Sequence, residues 1–156
     1  MSVVRPVPLE RVLEAVEQHL ASRHVCTLAT SHQDVPWAAT SFYVAWGLDL
    51  VVCQGRRART LANMLANPRT AFAVDDRRAD AWLQGLGLAE RLEADEERRA
   101  REALQRVAPE FTHHFTNPDY PVLRIRVQEL TFADRPHGIY PRQRLVRQGE
   151  RWAFGD

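Results

Sequence analysis

The stretch that decides the fold covers residues 36–68 and reads PWAATSFYVAWGLDLVVCQGRRARTLANMLANP. Its aromatic and β-branched residues predict a strand over residues 37–46, a tight turn at 47–49 and a second strand over 50–53. A cluster of three arginines, Arg56, Arg57 and Arg59, follows at the start of a short helix, and Asn67-Pro68 is expected to end this helix. Guanidinium groups and free helix N–H groups meeting at one corner are the donors with which proteins hold a phosphate.

The overall composition indicates one soluble globular domain over residues 1–156, with 45% hydrophobic and 26% charged residues. The net charge of +1 gives no global field to attract nucleic acid or an anionic membrane, so neither partner is expected. No apolar run approaches the ~20 residues that span a bilayer, and the N-terminus lacks the layout of a signal peptide. We therefore expect a cytoplasmic protein.

The basic residues and the cysteines exclude several chemistries. All 21 residues counted as lysine or arginine are arginine, so a Schiff-base mechanism that needs a lysine amine is excluded. Cys26 and Cys53 lie far apart in apolar strands, which predicts buried, reduced thiols rather than a disulfide scaffold or a zinc knuckle. The neighbouring His113 and His114 diverge on a helix and oppose each other on a strand, so no metal site is expected.

The order of elements along the chain predicts a mainly β (α+β) fold. An amphipathic helix over residues 8–22 is expected to pack on the sheet, because its apolar residues follow a 3.6-residue period. Strand patterns follow at 24–30, 69–76, 81–92 and from 122 onward, with a further helix that ends before Pro109 and a last hairpin over 139–154. Several strands with short helical insertions indicate a small antiparallel barrel with peripheral helices.

Two details predict where this barrel bends. Gly85 and Gly87 fall on the same face of one strand, which suggests a bend or the close approach of another backbone. The apolar residues after Val122 change phase, and a β-bulge near Gln128-Glu129 would restore them to the inward face. Residues 110–120, EFTHHFTNPDY, are compatible with either a short helix or an ordered loop.

These features together resemble the pyridoxamine 5′-phosphate oxidase-like, FMN-binding split-barrel superfamily. The resemblance is carried by HVCTLAT, PWAATSFYV, LDLVVCQGRRARTLANMLANPRTAFAV and WLQGLGLAERL, and it extends to PVLRIRVQELTFADRPHG near the C-terminus. It covers residues 9–150. It implies a split antiparallel β-barrel with peripheral helices, and a homodimer that holds FMN at the subunit interface.

The resemblance also implies which residues contact the cofactor. The phosphate is expected at a basic corner, where arginine replaces the family's usual residues and still offers bidentate donors. The flavin ring is expected against backbone groups and aromatic side chains of the strand, with tryptophans as walls. The corresponding residues are Arg59, Arg57, Arg56 and Thr60 for the phosphate, Ser41, Phe42 and Tyr43 for the ring, and Trp37 and Trp82 for the walls. Each has a plain alternative role, as a solvated arginine or as an aromatic of the core.

The function implied is that of an FMN-binding oxidoreductase performing a two-electron step on a small molecule. The substrate-binding residues of the vitamin B6 oxidases are not recognisable, so oxidation of pyridoxamine phosphate is not expected. Two alternatives stay open: a non-catalytic carrier or sensor of flavin or haem, and a deazaflavin-dependent reductase. A haem cofactor would draw attention to His113, His114 and His137, and His137 would also suit an anionic substrate if it lay near the flavin.

Overall fold

The computed structural model describes residues 6–156, in which the chain forms helices and strands in the expected alternation. The elements are α1 (Leu9–Ala21), β1 (Val25–His32), β2 (Val35–Phe42), β3 (Val44–Trp46), β4 (Asp49–Cys53), α2 (Arg59–Ala66), β5 (Arg69–Asp76), β6 (Ala81–Arg91), α3 (Ala94–Val107), α4 (Thr112–Phe115), β7 (Val122–Asp134), β8 (Ile139–Gln148) and β9 (Arg151–Phe154). None of the helices in this part of the chain is long and apolar enough to cross a membrane.

The strands form one curled antiparallel sheet in the order β2-β1-β5-β6-β7-β4-β3, and β8 and β9 continue it from β7. β2 and β3 follow each other in sequence but lie at opposite ends of this order. Within residues 6–156 no ladder joins β2 to β4, so the sheet closes around its core with one open seam. The predicted split antiparallel barrel with peripheral helices is therefore confirmed.

The seam exists because the predicted strand over residues 37–46 is in fact two strands, and that prediction was wrong. The chain leaves the sheet at Tyr43, whose N–H donates to the His24 carbonyl at 2.9 Å. The Tyr43 ring is fully buried, and its hydroxyl donates to the Leu20 carbonyl of α1 at 2.7 Å. This tyrosine thus redirects the chain from one end of the sheet to the other.

The core has two parts on the two faces of β4, whose five residues are all buried. Leu50 and Val52 point into the barrel, where α1 covers the opening with Val12, Val16 and Leu20. Val51 and Cys53 point outward against α3 and the segment that follows it. Because successive side chains of a strand alternate between faces, one apolar run supplies both halves of the core.

The other predicted elements are confirmed with small shifts. α1 agrees with the predicted helix over 8–22, and α2 stops where Asn67-Pro68 was expected to end it. The N-cap of α3 is Glu93, and the helix ends before Pro109 as predicted. The ambiguous segment forms a 3-10 turn at Pro109–Phe111 followed by α4.

The predicted bulge and the predicted role of the glycines are both confirmed between β6 and β7. Leu86 pairs with Glu129 while Gly87 pairs with Val127, so Gln128 is the extra residue. A Cβ added at Gly87 would lie 2.6 Å from the Arg126 carbonyl oxygen and 2.8 Å from a methyl carbon of Ile125. The neighbouring backbone therefore occupies the space that a side chain would need.

Candidate functional site

A cleft of about 530 Å³ opens at the seam between β2 and β4, and we call it the seam cleft. Four segments line it: one side of β2, the residues that follow β4, the first turn of α2, and α4 with the 3-10 turn before it. The cleft exists because β2 and β4 diverge without pairing. The predicted phosphate corner and the predicted ring-binding strand are thereby brought to one place.

The first turn of α2 forms the polar end of the seam cleft. Its N-cap is Ala58, which makes no side-chain capping hydrogen bond, so the first N–H groups of the helix have no side-chain acceptor. Arg59 and Thr60 are the first two helical residues, and both line the cleft. The Arg59 guanidinium lies 4.7 Å from the centroid of the Trp37 ring, across the cleft mouth. This corner combines a cation, a hydroxyl and helix N–H donors, which suits a phosphate.

A second polar group lies along the wall formed by β2. The Ser41 hydroxyl donates to the Phe42 carbonyl at 2.9 Å and accepts from the Gln54 amide nitrogen at 3.1 Å. Gln54 is buried directly after the apolar run of β4. An amide and a hydroxyl side by side offer both donors and acceptors to a bound ring.

The remaining wall of the seam cleft is aromatic. The Phe42 ring lies 5.1 Å from Phe111 and 6.3 Å from Phe115, centroid to centroid. His114 lies beside them, with its ring 4.8 Å from Tyr120 and its Nε2 3.4 Å from the Cys53 carbonyl oxygen. An apolar pocket with few polar groups is the usual form of a cofactor site.

Arg101 of α3 holds this aromatic wall in place. Its guanidinium donates to the carbonyl oxygens of Phe115 at 2.7 Å, Asn117 at 3.1 Å and Tyr120 at 2.8 Å. The Glu97 carboxylate accepts a further bond at 2.9 Å. The bond to Phe115 satisfies a carbonyl at the C-terminal end of α4, and the other two attach the segment that follows α4 to α3.

Two residues predicted for the cofactor do not lie in the seam cleft. Tyr43 belongs to the barrel core, because its ring turns under α1 where the chain leaves the sheet. Trp82 lies on β6, and β1 and β5 stand between it and β2. Its ring is covered by the Arg77 guanidinium at 5.1 Å. Tyr43 is therefore a core residue, and Trp82 does not line this cleft, so a contact of Trp82 with a cofactor stays a prediction.

The other two arginines of the predicted corner lie on the turn before α2 and do not line the cleft. Arg56 is exposed, with its guanidinium 4.0 Å from the Asp119 carboxylate. Arg57 is exposed on the same turn. Their part in holding a phosphate stays a prediction.

The thiols and the remaining histidines do not add a reactive centre. Burial raises the pKa of Cys53 to about 11 and that of Cys26 to about 12, so both stay protonated at neutral pH, and both are free as predicted. His113 is exposed on α4, and His137 lies in a surface turn on another part of the barrel. Among residues 6–156, no three metal-ligating side chains come together.

Sequence reasoning missed Gln54, Phe111 and Phe115 as cleft residues. Gln54 could have been noticed as a polar residue that continues a wholly apolar strand. The two phenylalanines lie in residues 110–120, whose sequence is compatible with either a helix or a loop, and only the fold brings α4 against β2.

The seam, the barrel and the cleft define a split-barrel protein, and comparison with known families agrees. Residues 12–134 match the pyridoxamine 5′-phosphate oxidase family, so the chain belongs to that family. A comparison with curated proteins gave no match.

Solved structures share the fold. A haem-binding protein from Mycobacterium smegmatis is 28% identical over 92% of this chain, with a TM-score of 0.76. ChuZ from Campylobacter jejuni is 12% identical over 91% of the chain, with a TM-score of 0.75. This chain spans 60% of the length of the M. smegmatis protein and 62% of the length of ChuZ. An FAD-binding protein from Mesorhizobium loti is 17% identical, over 82% of this chain and 95% of its own, with a TM-score of 0.63.

Proposed function

We propose that this protein binds FMN in the seam cleft and supports a two-electron oxidation–reduction of a small molecule. The observation that carries the proposal is the convergence of Arg59 and Thr60, at the start of α2, with Trp37 and Ser41 of β2 in one cleft. Family membership and an FAD-binding structural relative agree with a flavin.

The residues of the seam cleft fit the parts of FMN. Arg59, the Thr60 hydroxyl and the open N–H groups of α2 are donors for the phosphate. Ser41 and Gln54 match the polar edge of the ring system, and the phenylalanines match its apolar edge. Bound FMN would supply the hydride chemistry, so the protein needs no nucleophile of its own. The chain's contribution is to bind, to orient and to exclude water.

The phosphate assignment is tested by the variant Arg59→Gln. A charge-assisted hydrogen bond contributes about 1.5–3 kcal/mol, so we expect FMN affinity to fall about 10- to 100-fold. The measurement is a titration of FMN fluorescence with the purified protein. Arg106→Gln removes the same charge from an exposed position on α3 and should leave the affinity unchanged.

Three outcomes would contradict the proposal: no FMN binding by the unaltered protein, an unchanged affinity in Arg59→Gln, or tighter binding of a deazaflavin coenzyme than of FMN. The redox step has its own test. Under anaerobic conditions, NADH or NADPH should reduce the bound flavin and lower its absorbance at ~450 nm, whereas addition of buffer alone should not. Flavin that is bound but never reduced by either donor would favour a carrier or sensor.

Haem is the second candidate, and the position of His114 favours it. His114 is the histidine that lines the seam cleft among aromatic rings, whereas His113 and His137 lie outside it. The relative from M. smegmatis binds haem. A histidine-ligated Soret band on adding hemin, lost in His114→Ala and kept in His113→Ala, would establish this function in place of FMN binding.

We also propose a homodimer that covers the outer face of the sheet and closes the seam cleft. Ala29, Ala71 and Leu86 lie directly opposite one another on this face, and Leu86 and Leu88 are exposed. Strand β2 is an edge whose backbone would otherwise be open to unwanted pairing. Trp37 is 40% exposed where that edge meets the cleft, so a second copy covering β2 would also enclose a bound cofactor.

A further inference from the structure

A second cleft, of about 440 Å³, lies on the far side of the barrel between α1 and two strand connections. We call it the α1 cleft. One wall is a single stripe of α1 that includes Arg11, Ala15 and Gln18, and the other wall follows β7 into β8. None of the residues assigned to the seam cleft lines it, so it is separate from the proposed flavin site.

Two similar turns build the outer wall of the α1 cleft. After β5, the Asp76 carboxylate accepts the N–H of Ala79 at 3.2 Å, and after β7 the Asp134 carboxylate accepts that of His137 at 3.3 Å. Arg135 binds the turns together, with its backbone N–H donating to the Asp80 carbonyl at 3.2 Å. In both turns the aspartate that precedes the short helix caps it with its side chain.

The acidic groups of the wall are already paired within the protein. The Asp134 carboxylate lies 2.8 Å from Nδ1 of His137, and that of Asp76 lies 3.2 Å from the Arg23 guanidinium. The Ala79 N–H and then Arg23 hold the pKa of Asp76 below its usual value, so this carboxylate stays charged and satisfied. Both carboxylates therefore have hydrogen-bond partners within the protein.

The basic groups, in contrast, retain unused donors. Arg11 makes one hydrogen bond, to the His137 carbonyl at 3.0 Å, and no carboxylate lies within 4.0 Å of it among residues 6–156. With Nδ1 of His137 facing Asp134, Nε2 at the other end of the ring makes no hydrogen bond to a described residue. Arg11 is thus a donor at the rim of the cavity, and Nε2 of the neighbouring His137 is a second donor when the imidazole carries both protons, because Nδ1–H then donates to Asp134.

Below this rim the cleft is apolar. Ala15, Ala81 and Ile139 line it, together with the ring of His19. His19 is 3% exposed, its Nε2 lies 2.8 Å from the Val74 carbonyl oxygen, and burial lowers its pKa, so it is a neutral part of the wall. Because one water occupies about 30 Å³ in the liquid, the cleft has room for much more than an inorganic ion.

We propose that the α1 cleft is a binding site for a small organic anion, whose carboxylate or phosphate group is held by Arg11 and by the protonated ring of His137 and whose apolar body lies over Ala15, Ala81 and Ile139. Glu14, exposed on the same stripe, would favour molecules that carry a single anionic group at one end. This site is independent of the proposed flavin site, and either can fail without the other.

The test uses benzoate as the probe and the full chain labelled with ¹⁵N. Backbone amide resonances of residues 11–19 and 134–139 should shift and saturate at millimolar benzoate, while benzamide, which has the same body without the charge, should cause little change. Arg11→Gln should weaken benzoate binding about tenfold, since it removes a charge-assisted contact at an exposed position. Arg106→Gln, an exposed arginine on α3, serves as the matched control.

Each contrary result would overturn the proposal. The site is refuted if benzoate, at a concentration about 50 times the expected millimolar Kd, shifts no resonance of the α1 cleft. It is also refuted if benzoate binds Arg11→Gln and the unaltered protein equally. Inorganic sulfate binding as tightly as benzoate would show that the apolar body contributes nothing. His137→Gln gives an independent second variant, in which a weaker affinity without loss of folded spectra supports the assignment.

Discussion

At the scale of single residues, Asp49 joins the strands that frame one side of the barrel. Its carboxylate accepts two bonds from the Arg124 guanidinium, at 2.9 and 2.7 Å, and one from Arg147 at 2.8 Å. The Val127 N–H adds a fourth bond at 3.0 Å. Asp49 was expected only as a turn residue, yet it is 2% exposed and connects β4 with β7 and β8.

We predict that Asp49→Asn strongly destabilises the fold. Removing the charge leaves two arginines without their carboxylate, and breaking a buried ion pair costs about 3–5 kcal/mol. The free energy of unfolding in urea measures this loss. Asp119→Asn is the matched control, because its pair with Arg56 is exposed and worth at most ~1 kcal/mol. A loss in Asp49→Asn no larger than that of the control would contradict the structural role.

His19 should make stability depend on pH. Burial lowers its pKa below the ordinary 6.5, so as the pH falls below about 6.5 the unfolded chain binds a proton that the folded chain does not. Stability should therefore fall as the pH is lowered from about 7 to about 5. In His19→Gln, whose amide can still donate to the Val74 carbonyl, the decline should be shallower. Parallel curves of unfolding free energy against pH for the two proteins would refute this.

At the scale of elements, the pairing of β6 with β7 sets the curvature of the barrel. The extra residue Gln128 shifts the register, and the inward side chains of β7 continue in phase beyond it. Gly87 permits this because the backbone at Arg126 passes where its Cβ would be. A bulge beside a glycine is a common way to bend a strand pair at a barrel corner.

We predict that Gly87→Ala lowers the free energy of unfolding by about 1–3 kcal/mol, since the added methyl group overlaps backbone that cannot move alone. Gly55→Ala is the control, because no atom lies within 4 Å of its added Cβ, and a change within about 0.5 kcal/mol is expected. Chemical denaturation of both variants makes the comparison. Equal stability of the two variants would mean that the pairing of β6 with β7 adapts freely.

At the scale of the whole molecule, the open seam and the outer face of the sheet both leave surface exposed that a second copy of the chain could cover. A closed barrel would have no free edge, whereas this one leaves β2 unpaired on one side among the described residues. Val25, at 55% exposure, and Leu86, at 39%, lie on the outer face of the same sheet. Covering such a surface with a second copy is the usual solution in symmetric oligomers.

If the proposed homodimer forms, light scattering after gel filtration should give about twice the 17.9 kDa of one chain. Leu86→Glu should shift the protein to the monomer, because a charge would be buried in the interface. It should also weaken FMN binding if the partner helps to enclose the cleft. Leu65→Glu, at an exposed position of α2, is the control. If the monomeric Leu86→Glu variant bound FMN as tightly as the unaltered protein, an interfacial cofactor site would be excluded.

Much of this molecule could be predicted from its sequence. The period of α1, the stop at Asn67-Pro68 and the phase change at Gln128 are local patterns, so they indicated elements and the bulge correctly. Arg59 and Thr60 were placed at a strand-to-helix corner for the same reason. A strand pattern does not show where the chain leaves a sheet or which strands separate two residues, so it could not show that Tyr43 and Trp82 lie outside the seam cleft.

The sequence by itself determined which segments become strands and helices, because periodicity, turn residues and helix ends depend on neighbours in the chain. It also determined, through the family resemblance, that the strands form a split barrel. Only the tertiary structure decided that β2 and β4 diverge to open the seam cleft, that Gln54 and the α4 phenylalanines line it, and that a second cleft forms beside α1. These depend on contacts between residues far apart in sequence, which no local pattern encodes.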